Sequence, residues 1–166
     1  WAKSFVHLIG LTPPVLFSNR ARINQLSTAV GVSPLLDVTG HGNVFSNVEI
    51  FQGVADATSL IDVRVTGQRN VFDNVHFAGV GNATMVSAGA ISLQLAGGAE
   101  NLFKHCVIGL DTIVWDNNVT GLSCITAATR NVFEDCVFDA YIGNSGFAHV
   151  TIGTNGIDRS LWFKNC

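Results

Sequence analysis

Hydrophobic and polar positions recur along this chain in one short phrase at a nearly constant interval. The phrase is clearest in TGHGNVFSNVEI, which starts at Thr39, and in TGQRNVFDNVHF, which starts at Thr66. The phenylalanines at the centre of its copies are Phe45, Phe72, Phe103, Phe133 and Phe163. Their separations are 27, 31, 30 and 30 residues. A fixed period in this range is the signature of a repeat architecture, in which each copy forms one structural unit.

Each copy predicts two short strands joined by a corner, and a third strand precedes it. The third-strand segments lie at 59–65, 90–96, 122–127 and 149–152. They alternate apolar and polar residues as half-buried strands do. Coils of about 27–31 residues with three short strands each predict an all-β fold, a parallel β-helix solenoid. The variable stretches before each third strand, among them 110–121 and 139–148, are predicted to be projecting loops.

A weaker copy of the phrase, LFSN at 16–19, suggests one more coil near the start of the chain. It places Phe17 another 28 residues upstream of Phe45. With this copy, we expect one β-helix domain over residues 1–166. Residues 1–13 would form a leading strand or cap, and residues 14–166 would form about five to six coils. The chain has no initiator methionine and stops inside a repeat, so we expect a fragment of a longer polypeptide.

Two columns of charged residues support stacking of the copies side by side. Positions are numbered from the central phenylalanine of each copy. Position +1 is Ser46, Asp73, Lys104, Glu134 and Lys164, and position −3 is Gly42, Arg69, Glu100, Arg130 and Ser160. From the second copy onward both columns alternate in sign, so strands about 5 Å apart would place opposite charges together. Such columns favour parallel stacked strands over helical repeats.

A column of polar residues at position +2 marks a corner between two strands. It consists of Asn47, Asn74, His105, Asp135 and Asn165, with Asn19 in the weaker copy. Asn and Asp tolerate the left-handed backbone region and bond to their own backbone. We therefore predict a tight corner and a ladder of these side chains along the solenoid axis. A second asparagine column stands at position −2: Asn43, Asn70, Asn101 and Asn131.

Positions 0 and −1 are predicted to lie on opposite faces of one strand, because successive side chains of a strand alternate. The predicted core stack is Phe45, Phe72, Phe103, Phe133 and Phe163. The predicted outer stripe is Val44, Val71, Leu102, Val132 and Trp162. A continuous apolar stripe on the outside of a solenoid is typical of a contact surface. The alternative is that a loop or a flanking segment covers it.

Phrases such as VFDNVHF, with their corner asparagines, resemble the right-handed parallel β-helix superfamily, the pectate-lyase-like fold. The likeness covers roughly residues 14–166. It implies a fold but no single function, because this scaffold hosts lyases, hydrolases, adhesins and virion proteins. The segments VHLIGL and LFSNRARI and the style of the loops are most similar to bacteriophage structural proteins with β-helix domains. That resemblance implies three solenoids packed around a threefold axis through the outer stripe.

Composition and charge exclude several classes of protein. Hydrophobic residues make up 48% of the chain and charged residues 13%, which is too apolar for a disordered protein. The net charge of −3 argues against nucleic acid as a partner, because nucleic acid requires a basic surface. No apolar run reaches the roughly 18 residues of a membrane span, so we expect no membrane partner.

Candidate catalytic residues are few. The GHG at 40–42 resembles that of polygalacturonase-like hydrolases, but their NTD and DD motifs are missing and residues 22–24 read RIN instead of RIK. We interpret His41 as a turn residue. Four acids lie in the variable stretches: Asp56, Asp111, Asp116 and Asp139. They could converge on one edge like the carboxylates of polysaccharide-cleaving enzymes, or they could be solvated. We predict no catalytic, cofactor-binding or metal-binding residues and no cofactor.

The cysteines are predicted to be buried free thiols. They are Cys106, Cys136 and Cys166 at position +3, and Cys124 in a third-strand segment. Val48 and Val75 occupy the same +3 column, which marks it as core space. A disulfide between coils and a metal site are the alternatives, although no two cysteines have the short spacing of a thiolate site. Reduced cysteines suit a protein assembled in a bacterial cytoplasm.

The leading functional hypothesis is a bacteriophage virion structural protein, a capsid- or tail-associated surface component acting as a rigid non-catalytic scaffold. Its expected partners are further copies of itself, with a trimer suspected, other virion proteins and a surface glycan. Its expected location is the virion, after assembly in the host cytoplasm. The competing hypothesis is a carbohydrate-active protein, either a tailspike depolymerase or a polysaccharide lyase or hydrolase. A bacterial surface adhesin is the third hypothesis, and the last two allow a secreted or cell-surface location.

Overall fold

The computed structural model describes residues 1–12, 21–25, 32–54, 56–82, 88–143 and 145–166, and its strands follow the repeat of the sequence. The first coil contains β1 (His7–Ile9), β2 (Ala21–Gln25) and β3 (Leu36–Val38), and the second contains β4 (Val44–Ser46), β5 (Val48–Gln52) and β6 (Ile61–Val65). The third contains β7 (Val71–Asp73), β8 (His76–Val80) and β9 (Ile91–Ala96), and the fourth contains β10 (Leu102–Lys104), β11 (Val107–Trp115) and β12 (Thr120–Ile125). The fifth contains β13 (Asn131–Glu134), β14 (Val137–Ile142) and β15 (Ala148–Ile152), and β16 (Leu161–Lys164) begins another coil.

Equivalent strands of successive coils pair in parallel and build three sheets. The first sheet has the order β1-β4-β7-β10-β13-β16, the second has the order β14-β11-β8-β5-β2, and the third has the order β15-β12-β9-β6-β3. The described ranges contain no helix that is long and apolar enough to cross a membrane. The prediction of an all-β parallel solenoid with three short strands per coil is confirmed.

The register of the first sheet aligns equivalent repeat positions one above another. Phe72 is the register partner of Phe45 on one side and of Phe103 on the other, and the series continues through Phe133 to Phe163. Within β4, β7 and β10 the central residue is buried while both neighbours are only partly buried. The strands of the first sheet therefore point position 0 inward and positions −1 and +1 outward.

The first coil differs from its sequence prediction. The strand beside β4 is β1, and it places Leu8 opposite Phe45. Leu8 therefore fills position 0 of the strand beside β4. The interval from Leu8 to Phe45 is 37 residues, and this coil carries leucine at position 0, so the repeat pattern did not reveal it. Phe17 and Asn19 lie outside the described residues.

The main core is built around the five stacked phenylalanines of the first sheet. Ring centroids of successive members are 4.5–5.2 Å apart, with interplanar angles of 19° or less. At the amino-terminal end, the ring of Trp1 packs edge-on against Phe45 at 5.5 Å. The first four phenylalanines are fully buried, whereas Phe163 is 44% exposed. Each fully buried ring contributes about 1.5–3 kcal/mol, with about 0.5–1.5 kcal/mol more per aromatic pair.

A second apolar cluster, called the outer lobe below, lies where the second sheet leads into the third. It consists of Val80, Ala90, Trp115 and Val119, with Leu110, Ile113, Ala140 and Phe147 packed against it. Its presence corrects part of the loop prediction, because β11 runs on to Trp115 and β14 to Ile142. Apolar side chains in these stretches bury one another and extend the strands, instead of forming solvated loops.

The backbone turns sharply on either side of each first-sheet strand. At position +2 the φ angles are 51–56°, for Asn47, Asn74, His105, Asp135 and Asn165. At position −3 they are 54–65°, for Gly42, Arg69, Glu100 and Arg130. The left-handed corner at −3 was not predicted, because Arg and Glu carry no sequence preference for this region. Two tight corners per coil hold the short strand between them in a fixed position.

Candidate functional site

The most regular polar feature of the molecule is the buried row of asparagines at position −2. The Oδ1 atoms of Asn70, Asn101 and Asn131 each accept a hydrogen bond from the backbone N–H of the asparagine one coil earlier, at 2.9–3.0 Å. Their side-chain amides donate to the carbonyls of three glycines, Gly40, Gly67 and Gly98, at 2.9–3.2 Å. All members of the row, Asn43 included, are buried. The sequence shows this column of asparagines, but the repeat pattern alone does not indicate their role.

The corner ladder predicted at position +2 lies nearer the surface. It contains Asn47, Asn74, His105, Asp135 and Asn165. Nδ2 of Asn74 donates to Oδ1 of Asn47 at 2.9 Å, and Nδ2 of Asn165 donates to Oδ1 of Asp135 at 3.1 Å. The ladder therefore consists of two hydrogen-bonded pairs, Asn47–Asn74 and Asp135–Asn165, and His105 lies between the two pairs.

His105 interrupts the amide ladder and lies between two carboxylates. Its Nδ1 is 3.0 Å from Oδ1 of Asp73, and its Nε2 is 3.9 Å from Oδ2 of Asp135. All three side chains are between 41% and 53% exposed. His105 therefore connects side chains of three successive coils at the surface.

Ion pairs run along the solenoid axis, as the alternating charges predicted. The Glu100 carboxylate lies between Arg69 and Arg130, at 2.7 Å and 2.8 Å from their side-chain nitrogens. Hydrogen bonds from Arg130 and Arg69 lower the pKa of Glu100. At position +1, Nζ of Lys164 lies 2.5 Å from the carboxylate of Glu134. At position −3 the alternating charges therefore join the third, fourth and fifth coils, and at position +1 the pair Lys164–Glu134 joins the fifth coil to β16.

The apolar stripe predicted at position −1 lies on the outer face of the first sheet. Val44, Val71, Leu102 and Val132 are register neighbours and are half-buried. Trp162 continues the row and is 66% exposed. Among the described residues, the more exposed large hydrophobic side chains belong to the first and last coils. The middle of the stripe is thus a row of half-buried apolar side chains, and the residues at position +1 lie on the same outer face.

The four loop acids occupy different environments. Asp56 accepts hydrogen bonds from the backbone and hydroxyl of Thr58 at 2.9 and 2.8 Å and so closes its own turn. Asp111 is exposed and lies in an irregular part of β11. Asp116 is exposed, and Asp139 in β14 is half-buried beside Gly109. The described residues include no group of three or more His, Cys, Asp or Glu that could hold a metal ion.

His41 belongs to a turn. Its Nδ1 accepts a hydrogen bond from the backbone N–H of Gln68 at 3.0 Å, and its own N–H donates to Oγ of Ser4 at 3.0 Å. The next copy has Gln68 at the equivalent position. These contacts join three successive coils, which is the role expected of a turn residue.

All four cysteines are free thiols. Those of the +3 column, Cys106, Cys136 and Cys166, donate to the carbonyls of the core phenylalanines one coil earlier, at 3.3–3.5 Å. The prediction of burial is wrong for Cys166, which is exposed on the face of the last coil. Burial raises the pKa of Cys106 and raises that of Cys124 to about 11. These two thiols are therefore protonated at neutral pH and poor nucleophiles.

Two polar residues near the outer lobe are buried although the sequence predicts no role for them. Asp62 and Ser92 are buried. Both occupy alternating positions in half-buried strands, where a polar residue ordinarily faces solvent. Nothing in the sequence distinguishes these two residues from exposed ones, because their burial depends on contacts with other segments such as that of Gly79.

Comparison of the chain with protein-family models, with curated proteins and with solved structures found no match. Function is therefore inferred from the fold and from the axial ladders, which are the rows of stacked rings, hydrogen bonds and ion pairs that join successive coils.

Proposed function

We propose that this chain is a rigid, non-catalytic β-solenoid scaffold of a bacteriophage virion, associated with the capsid or the tail. The observation that carries the proposal is the continuity of the axial ladders through successive coils. A phenylalanine stack, a buried asparagine row and a line of ion pairs each join one coil to the next. In each ladder the same repeat position is used in coil after coil.

Such an arrangement favours stiffness. Each coil of a solenoid contacts only its neighbours, so bending must open contacts between adjacent coils. In the middle coils the stacked ring centroids are 4.5–5.0 Å apart. Bending would separate these rings and would break the buried hydrogen bonds at the same time. Unpaired buried polar groups are costly, so the buried row adds to the resistance. A stiff surface component of a particle requires this property.

The acidic residues support a structural role. Glu100 and Glu134 are bound by cationic side chains of neighbouring coils, and Asp37 is bound by Arg64 at 2.6 Å. A polysaccharide-cleaving enzyme needs carboxylates that converge on a substrate and exchange protons with it. Carboxylates held by arginine or lysine along the wall are suited to joining coils.

The virion assignment rests on the likeness of the loops and the leading segment to phage β-helix proteins. The partners proposed are two further copies of this chain, other virion proteins and a bacterial surface glycan. Mass spectrometry of purified phage particles from the source of the sequence tests the location. Peptides of this chain in intact, nuclease-treated particles are expected, and their confinement to the host cell envelope would favour the adhesin hypothesis.

The absence of catalysis is tested by activity measurements on the folded chain. The protein is incubated with a panel of bacterial surface polysaccharides, and new reducing ends and unsaturated products are followed. No release above the heat-unfolded control is expected. Cleavage of any polysaccharide would overturn the scaffold proposal. The triple variant Asp111→Asn, Asp116→Asn, Asp139→Asn would then show whether the loop acids are responsible.

A further inference from the structure

A seam of buried polar side chains lies between the main core and the outer lobe. Asp62 and Ser92 each precede a residue of the main core and are themselves buried. Gly79 precedes Val80, which belongs to the outer lobe. The N–H of Gly79 donates to Oδ2 of Asp62 at 3.0 Å, so this hydrogen bond joins the two apolar clusters.

The seam places polar atoms close to the ring of Trp115. A Cβ atom at Gly79 would lie 2.5 Å from Oγ of Ser92 and 3.4 Å from the Trp115 ring. Oδ1 of Asp62 and Oγ of Ser92 are buried and have no hydrogen-bond partner among the described residues. An ionised carboxylate in this position would be poorly solvated, whereas the neutral acid tolerates burial much better.

A second buried acid opposes ionisation of Asp62. Glu49 on β5 is buried, and its Coulomb interaction with Asp62 is unfavourable when both are charged. Glu49 is paired with Arg22, whose guanidinium lies 2.8 Å from it and is 48% exposed. Glu49 therefore has a cationic partner, whereas the contact described for the Asp62 carboxylate is the N–H of Gly79.

In the part of the chain that the structure describes, the charged and titratable side chains on the other strands packed against β6 have partners of their own. On β3, Asp37 is bound to Arg64 of β6 itself, on the outward side. On β8, Nε2 of His76 is 2.7 Å from the carbonyl oxygen of Gly109, and since a carbonyl only accepts, Nε2 carries the hydrogen. The segment of β9, ISLQLA, contains no ionisable side chain.

We propose that Asp62 is a proton-dependent switch, which holds the outer lobe against the main core when its carboxyl group is neutral and loosens the lobe when it ionises. The ionised form would carry a buried charge with one N–H donor, and relief comes from admitting water to the seam. The outer lobe is the part that can move aside, because it is the smaller cluster and lies apart from the continuous ladders of the first sheet.

The protonation equilibrium sets the direction of the effect. Burial, opposed by the Gly79 N–H bond and reinforced by Glu49, raises the pKa of Asp62 well above its ordinary value. A pKa raised in the folded state gives stability that is present at low pH and is lost as the pH rises through the folded value. The lobe is therefore closed in acid and loosened toward alkaline pH.

Trp115 reports the state of the lobe directly. Of the three tryptophans, Trp1 and Trp162 are exposed and can be replaced, as Trp1→Phe and Trp162→Phe, to leave Trp115 alone. Acrylamide quenching of Trp115 is then measured from about pH 4 to about pH 9, with far-UV circular dichroism as a check on the solenoid. We expect the quenching constant to rise at least about twofold in one reversible step, with the dichroism unchanged.

Variants of the seam distinguish the switch from general alkaline loosening. Asp62→Asn should remove the step, because the amide cannot ionise, and Asp111→Asn on the exposed side of β11 should leave it unchanged. Glu49→Gln should move the midpoint to lower pH, and it serves if Asp62→Asn fails to fold. A flat quenching profile in the parent would overturn the proposal. A quenching step that is still present in Asp62→Asn would also overturn it. The same holds for a step whose midpoint pH is unchanged in Glu49→Gln.

Discussion

At the scale of single residues, Asn101 illustrates how one polar side chain joins three coils. Its Oδ1 accepts from the backbone N–H of Asn70 at 2.9 Å. Its Nδ2 donates to the carbonyl of Gly67 at 3.2 Å and to Oδ1 of Asn131 at 3.0 Å. These groups are buried, so none of them can turn to water when a partner is lost.

Replacing Asn101 with alanine should destabilise the protein strongly. The N–H of Asn70 and the carbonyl of Gly67 would both be left buried and unpaired, and we expect a loss of about 3 kcal/mol or more. The free energy of unfolding in urea measures this loss.

The matched control is Asn74→Gly at the outer corner. Asn74 has φ 54° and its amide donates to Asn47. Glycine adopts this backbone conformation freely, so the expected loss is roughly 1 kcal/mol. Equal losses for Asn101→Ala and Asn74→Gly would contradict the distinction between the buried row and the corner ladder.

The ion pairs of Glu100 should make the stability of the protein depend on pH in the acidic range. Hydrogen bonds from Arg130 and Arg69 lower its pKa in the folded protein, so its contribution to stability is present above its ordinary pKa and is lost as the pH falls through the lowered value. Glu100→Gln should therefore flatten the fall in unfolding midpoint on acidification below about pH 5. The midpoint is measured by thermal unfolding at low salt, because these exposed pairs are screened. An unchanged acid slope in the variant would show that the arginines do not hold Glu100.

At the scale of elements, the core stack should be most sensitive in its middle. Phe103 is fully buried between rings 4.7 Å and 4.5 Å away, whereas Phe163 in β16 is 44% exposed. Phe103→Ala should cost about 3–5 kcal/mol, and Phe163→Ala about 1 kcal/mol. Urea unfolding of both variants provides the comparison. Similar losses would mean that the rings do not form one continuous stack.

The strands were predictable where the repeat gave several independent signals at one position. Around Phe72, a constant phenylalanine, a corner asparagine and alternating charges all required the same register of β7 against its neighbours. A one-residue slip would have turned the phenylalanine outward and misaligned the charges. Parallel stacking and the inward face of the first sheet could therefore be predicted from the sequence.

The positions of Leu8, Arg69 and Asp62 could not be predicted from the sequence, because they depend on contacts between segments that are distant in the chain. Leu8 could not be recognised because its coil breaks both the period and the residue type. Arg69 adopts a left-handed φ of 56° because the corner requires it, against the preference of arginine. Asp62 is buried and accepts a hydrogen bond from Gly79 on a different strand. In each case tertiary packing overrides a local preference.

At the scale of the whole molecule, the outer stripe predicts how copies associate. If solenoids pack side by side through Val71 and Val132, two aspartates there would place charges in the interface. Val71→Asp with Val132→Asp should convert a trimer to a monomer that keeps its β-sheet dichroism. Mass is measured by light scattering.

The control for the stripe is Thr151→Asp on the third sheet. Thr151 alternates with Val150, which packs on the main core, so its side chain points away from that core. This variant should keep the mass of the parent. A mass unaffected by the stripe variant would show that the stripe is not the interface.

The measurement that tests the central claim most directly is amide hydrogen exchange of the intact chain, read residue by residue by NMR. The axial ladders predict the slowest exchange at the backbone amides of Asn70 and Asn101, whose N–H groups are bound by the next asparagine. Protection should decline toward both end coils and be weakest in exposed turns such as residues 154–155. Exchange at Asn70 and Asn101 as fast as in that turn would contradict a solenoid held together through its buried row.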